Sequence, residues 1–220
     1  MSAVEFHAQL LDGCRRLARK GFLTGAADSF SLRIPGRDEM ILASGQTDWQ
    51  QVQLSDITAV PLSAEEGDAG LHATIYKERP DVGAVTVSSP QPARMLAKSG
   101  GRLPPLFDEQ LRHLGPSVDA LKREQSRSRS LVKTLERGGN AMVLDEQLLC
   151  LGMTCERVLC NTELYEKCAH AYVIARASGS PLSTIPFWVR LIAIHRLMRN
   201  ERQASVSYRN GRVPEGIGGY

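Results

Sequence analysis

The sequence contains five cysteines but no C-x-x-C pair and no regular cysteine framework. Neither a disulfide scaffold nor a thiolate zinc site is therefore indicated. Cys150, Cys155 and Cys160 lie five apart, so two of them on one helix cannot share a face; reduced core thiols are expected. No window approaches the length and apolarity of a membrane span. The opening residues, MSAVEFHAQLL, lack the cationic region and apolar run of a signal peptide. The chain is thus expected in the cytoplasm, with no membrane partner. Internal repeats and an evident domain linker are also missing. Charge of one sign is not in excess either: 27 Lys and Arg against 24 Asp and Glu leave a formal +3. Without a clustered basic face that is too little to indicate nucleic-acid binding. The Arg-Ser pairs of REQSRSRS have no aromatics among them and read as a solvated segment. Arg190, Arg196, Arg199, Arg202, Arg209 and Arg212 in the tail suit a subunit interface or solvent equally well. No nucleic-acid partner is expected.

What remains is an ordinary globular composition, 42% hydrophobic and 23% charged over 220 residues. That length accommodates one substantial domain, residues 1–220, with 181–220 forming a C-terminal helix and tail. EFHAQLLDGCRRLARKGF is an amphipathic helix with Phe6, Leu10, Cys14 and Leu17 at helical spacing, stopped at Gly21. SFSLRI and EMILAS read as strands paired across the turn PGRD. ITAVPL is a third strand, and Pro61 places it at an edge or a strand end. The helix LHATIYKER ends at Pro80. VGAVTV, apolar on both faces, reads as an interior strand over Val82–Val87. Ser89 and Pro90 are suited to begin the next helix. Residues 99–118, with several Gly and Pro, read as a surface excursion, and LVKTLERGG as a helix. AMVL and LLCL form a second hairpin. A long helix follows from Thr154 to about Ala177, with Leu164, Cys168, Ala171 and Ala175 on one stripe. Helices flanking strands at both ends of the chain imply an α/β fold of three layers, α/β/α.

Four stretches in this order carry a resemblance: LTGAADSFSLR, ILASG, LHATIYKERPDVGAV and GMTCERVLCNTELYEKCAHAYVIA. Together they resemble the class II aldolase/adducin family over about residues 5–180. The family includes zinc-dependent sugar-phosphate aldolases, epimerases and dehydratases, and non-catalytic adducin head domains. The resemblance implies a central, mainly antiparallel sheet between helical layers and a homo-tetramer with sites at subunit boundaries.

It also assigns positions. Ser44 and Gly45 match the family's phosphate-binding turn, while Asp28 and Ser29 stand where a Gly-Asn pair would help hold phosphate. Ser29, Ser44 and Gly45 are accordingly candidates for a remnant ligand pocket for a small hydroxylated or phosphorylated compound. Asp68, one helical turn before His72, occupies the place of the acid/base glutamate; a cap for the helix beginning near Ala69 is the reading preferred over acid/base work. The zinc histidines are matched by Thr86, Ser88 and Glu146. Zinc takes three or four imidazole, thiolate or carboxylate ligands at about 2.0–2.3 Å, and neutral hydroxyls are poor substitutes. No metal is therefore expected. Asp28 adds a negative charge where an anion would sit. His72 falls outside the zinc triad, and a packed histidine is the simpler reading. Glu109, Arg112 and His113 read as a polar loop cluster.

Two readings follow. One is a binding or assembly protein built on this fold; the other is a lyase or epimerase acting on a small sugar-phosphate-like compound through a relocated or non-zinc site.

Overall fold

The computed structural model describes residues 3–98, 101–121, 138–179 and 181–215. REQSRSRS and nearly all of the helix expected at LVKTLERGG lie outside these residues. Helix α1 (Ala3–Arg19) leads into strands β1 (Ser29–Arg33), β2 (Glu39–Ser44) and β3 (Ile57–Pro61). Helix α2 (Gly67–Glu78), strand β4 (Ala84–Ser88) and helices α3 (Gln91–Lys98) and α4 (Asp108–His113) follow. Strands β5 (Asp119–Leu121), β6 (Ala141–Leu144) and β7 (Gln147–Gly152) precede helices α5 (Cys155–Ala177) and α6 (Phe187–Arg209).

The seven strands form one sheet in the order β3-β2-β1-β4-β7-β6-β5. Its pairings are antiparallel except β5 with β6. Pro61, at the end of edge strand β3, leaves the ladder intact because no further strand needs its missing N–H. The strand apolar on both faces, β4, is the middle one and is wholly buried.

The two sheet faces build two cores. Phe30, Ala84, Leu148 and Cys150 pack with Leu10 and Leu17 of α1, Ala93 and Leu96 of α3, and Val158 and Tyr165 of α5. On the other face Met40, Val85, Val87 and Leu149 pack with Ala73, Ile75 and Tyr76 of α2. Across the first layer, Arg16 of α1 pairs with Glu163 of α5 at 2.9 Å, and Lys20 pairs with the same carboxylate at 2.8 Å.

The segment expected to run over the surface does more than that. Leu103, Leu111, Leu114 and Val118 are fully buried, and Leu103 bridges to Val118 before β5 joins the sheet. Its glycines and prolines turn the chain between buried contacts instead of holding it in solvent.

Helix α6 docks at the sheet end where β4 begins. The Tyr208 hydroxyl donates to the Met153 carbonyl at 2.9 Å, and a Cβ on Gly83 would lie 1.7 Å from that hydroxyl. Deeper in the same contact Arg79 donates to both oxygens of Asp81 at 2.8 and 2.7 Å, to Asn140 Oδ1 at 2.9 Å and to Glu201 Oε1 at 2.9 Å. No helix among the described residues is long and apolar enough to cross a membrane.

Candidate functional site

The strand register gathers the candidate residues at the opposite end of the sheet. Ser29 pairs with both Ser44 and Val87, and Ser88 with Leu148. The α1–β1 loop, the β2 end, the β4 end and the β6–β7 turn therefore meet there. Gly45 leaves β2 with φ 72°, a conformation that favours glycine, and Asp145 makes the tight β6–β7 turn with φ 53°.

Asp28 is the centre of this end and is fully buried. Its Oδ2 accepts the backbone N–H of Thr24 at 2.6 Å and of Gly25 at 3.0 Å. Its Oδ1 accepts the Ser89 hydroxyl at 2.6 Å and the Gln147 amide at 3.3 Å. Gln147 also donates to the Ala27 carbonyl at 2.8 Å, and the Trp49 indole N–H to the Gly25 carbonyl at 3.0 Å. The loop is thus closed from within and from three sides.

Ser29 turns the other way, towards α2. Its hydroxyl lies 2.9 Å from His72 Nε2, while Ser31 lies 2.6 Å from His72 Nδ1 and 2.8 Å from the Tyr76 hydroxyl. Burial pushes the His72 imidazole down to about 3, so the ring is neutral and uses one nitrogen as donor and the other as acceptor. His72 ties α2 to β1.

The three zinc positions lie on β4, at Thr86 and Ser88, and in the β6–β7 turn, at Glu146. Thr86 sits on the α5 face, with its hydroxyl 3.2 Å from that of Thr162. Thr162 donates to the Val158 carbonyl at 2.9 Å, which leaves Thr86 the donor between the two hydroxyls. Ser88, two residues on, shares that face, and its hydroxyl lies 3.5 Å from the Leu148 carbonyl. The α2 face of β4 presents Val85 and Val87 instead. Glu146 is exposed and pairs with Lys98 at 3.9 Å. Asp68 is half-buried in the first turn of α2. The helix begins earlier than expected: Gly67 is its first residue and Glu66 its N-cap, so Asp68 is not the cap. Its charge suits the first turn.

Hydroxyls on one face, valines on the other and one carboxylate in solvent do not fit zinc. Among the described residues no three His, Cys, Asp or Glu side chains form a group able to hold a metal ion. The cysteines are free thiols. Burial pushes Cys150, Cys155 and Cys168 up to about 12, so they stay protonated at neutral pH and are poor ligands.

Glu109, Arg112 and His113 do not form a cluster: they lie on a helix and separate. Glu109 pairs with Lys167 at 2.9 Å, Arg112 with Asp108, and buried His113 contacts Arg157. Burial first, and Arg157 second, push His113 down to about 4. Two features have no reading in the sequence: the bonding of Asp28 to Ser89 and Gln147, and the knot of Arg79, Asp81, Asn140 and Glu201. The tripeptide R-P-D is the only local signal for the second.

The sheet order, its flanking helices and the loop–strand-end site define a class II aldolase fold. The chain belongs to the class II aldolase and adducin N-terminal domain family, whose model matches residues 8–173. It is similar in structure to an L-fuculose 1-phosphate aldolase, with 19% identity and a TM-score of 0.76 over 90% of this chain and 98% of that one. The L-fuculose-1-phosphate aldolase of Thermus thermophilus gives 19% identity and a TM-score of 0.66, over 82% of this chain and 99% of that one. YgbL from Klebsiella pneumoniae gives 16% identity and 0.75, over 88% and 99%. At these identities the likeness concerns the fold. No curated protein matches the sequence significantly.

Proposed function

We propose that this protein is a class II aldolase/adducin-type domain working without zinc, in a non-catalytic binding or assembly role, as a cytoplasmic homo-tetramer. The observation that carries the reading is the orientation of β4: Thr86 and Ser88 bond towards α5 and β7, and the strand's α2 face offers only valines. An aldolase of this type relies on a Lewis acid to stabilise the enediolate formed by C–C cleavage, a contribution of several kcal/mol at about a factor of ten per 1.36 kcal/mol. Asp68 alone, at the acid/base position, supplies no such charge stabilisation. Ser44 and Gly45 remain the place for a small hydroxylated ligand. Assembly is supported by α6, whose outer face exposes Phe187, Trp188, Leu191 and Ile192 at 73, 69, 60 and 56%. Four large apolar side chains in two turns are more than a solvated face needs.

The test is elemental analysis of the purified protein combined with a retro-aldol screen on sugar phosphates. Substoichiometric zinc and no turnover are expected. One zinc per chain, or turnover abolished by a chelator, would overturn the reading. Turnover without metal would establish the lyase or epimerase with a relocated site.

A further inference from the structure

We infer that Asp28 is the resident ligand of an anion cradle, so that this end of the sheet excludes phosphates and other oxyanions. The inference goes beyond the zinc-free reading and stands whether or not that reading holds.

Four donors converge on one carboxylate from three separate elements. The Thr24 and Gly25 amides reach Oδ2 at 2.6 and 3.0 Å; the Ser89 hydroxyl and the Gln147 amide reach Oδ1 at 2.6 and 3.3 Å. Two adjacent backbone N–H groups aimed at one oxygen, with a hydroxyl and an amide on the other, are the arrangement by which proteins hold bound carboxylate or phosphate. Here the anion is covalently part of the loop. None of its hydrogen-bond partners among the described residues is cationic, so dipoles alone meet a buried charge. A carboxylate left without these donors would be costly to bury, which keeps them committed.

Two consequences follow for ligand selection. The donors that would greet an incoming oxyanion are already spent, and the charge of Asp28 repels a second anion at contact distance. The surrounding surface adds to this, because Asp48, just beyond β2, and Asp145 and Glu146 of the β6–β7 turn are exposed at the same end, with Lys98 against Glu146. The ligand class compatible with this site is neutral or cationic. Asp28 is in this sense a specificity-determining residue that selects by prior occupation.

Nuclear magnetic resonance on nitrogen-15-labelled protein tests the inference with inorganic phosphate and formate. In the wild type neither anion shifts the Thr24 and Gly25 amide resonances saturably. Asp28→Gly removes a carboxylate and leaves a formate-sized space. In that variant formate shifts both resonances saturably and raises the thermal midpoint, while chloride at equal ionic strength does neither. Recovery of folding by formate in a variant that is unfolded without it counts in favour. Asp28→Asn keeps an acceptor for the amides and fills the space, so it shows no anion response. Saturable phosphate shifts at Thr24 and Gly25 in the wild type overturn the inference, whatever the variants do. A folded Asp28→Gly that responds to formate no more than Asp28→Asn overturns it equally.

Discussion

Arg79 and Glu201 meet at 2.9 Å across 122 positions of sequence, and both side chains are buried. The guanidinium is shared, since Asp81 accepts from the same Nη2 at 2.7 Å and from Nε at 2.8 Å. Burial therefore costs Glu201 more than Arg79 returns, and its carboxyl is pushed up to about 7. The contact joins the end of α2 to α6, so it governs how the C-terminal helix is held.

Truncating the shared cation exposes this dependence. Arg79→Ala leaves two buried carboxylates without their counter-charge and is expected to destabilise the fold by about 3–5 kcal/mol. Glu201→Gln keeps an acceptor and removes one charge. A carboxyl whose folded pKa is raised binds its proton more tightly in the native state, so stability falls as pH rises from its ordinary value near 4.5 to about 7. Urea unfolding across that window should show the wild type losing at most about 1.4 kcal/mol per pH unit from this group. In Glu201→Gln that component of the slope disappears; an unchanged slope would refute the assignment.

His72 gives the opposite sign. Its imidazole is held neutral down to about pH 3, whereas the unfolded residue protonates near 6.5. Stability from this group is complete above pH 6.5 and is lost as pH falls through that window. His113, lowered to about 4, contributes to the same limb. His72→Gln should flatten the acid limb by up to about 1.4 kcal/mol per pH unit. The variant should also be less stable at neutral pH, because the bonds to Ser29 and Ser31 are no longer both made. Parallel acid limbs in the two proteins would count against the neutral, buried ring.

The outer face of α6 is the surface to alter for assembly. Trp188→Glu and Leu191→Glu remove apolar groups that are already in solvent in the single chain, so monomer stability should stay within about 0.5 kcal/mol. Each side chain buried at a contact is worth about 1.5–3 kcal/mol, so association should weaken about tenfold or more per substitution. Light scattering over a concentration series reads this directly. Identical masses for wild type and both variants would remove α6 from the interface.

The layers are legible in the sequence because most strands and helices carry their own periodicity. Phe6, Leu10, Cys14 and Leu17 mark one helix face, and Pro61 an edge. β5 is not legible: it has three residues, and its parallel pairing depends on β6, which follows in the chain. The site is less legible than the fold, for a reason rooted in β4. A strand buried on both faces has no apolar–polar alternation, so nothing local says which residues face α2 and which face α5. Thr86 and Ser88, matched to the zinc histidines and expected to hold no metal, both fall on the α5 face. Asp28 reads in the sequence as a repulsive charge. That it also satisfies the loop depends on Ser89 and Gln147, which lie 61 and 119 positions further along the chain.

The indole of Trp49 is 2% exposed and bonded to the loop that Asp28 closes, whereas Trp188, the second of the two tryptophans, stands on the open face of α6. Their environments differ enough to separate their fluorescence. A buried indole emits to the blue and resists quenching by iodide; an exposed one emits to the red and is quenched. The unlabelled protein therefore carries two optical reporters, one for the integrity of the Thr24–Asp28 loop and one for the covering of α6.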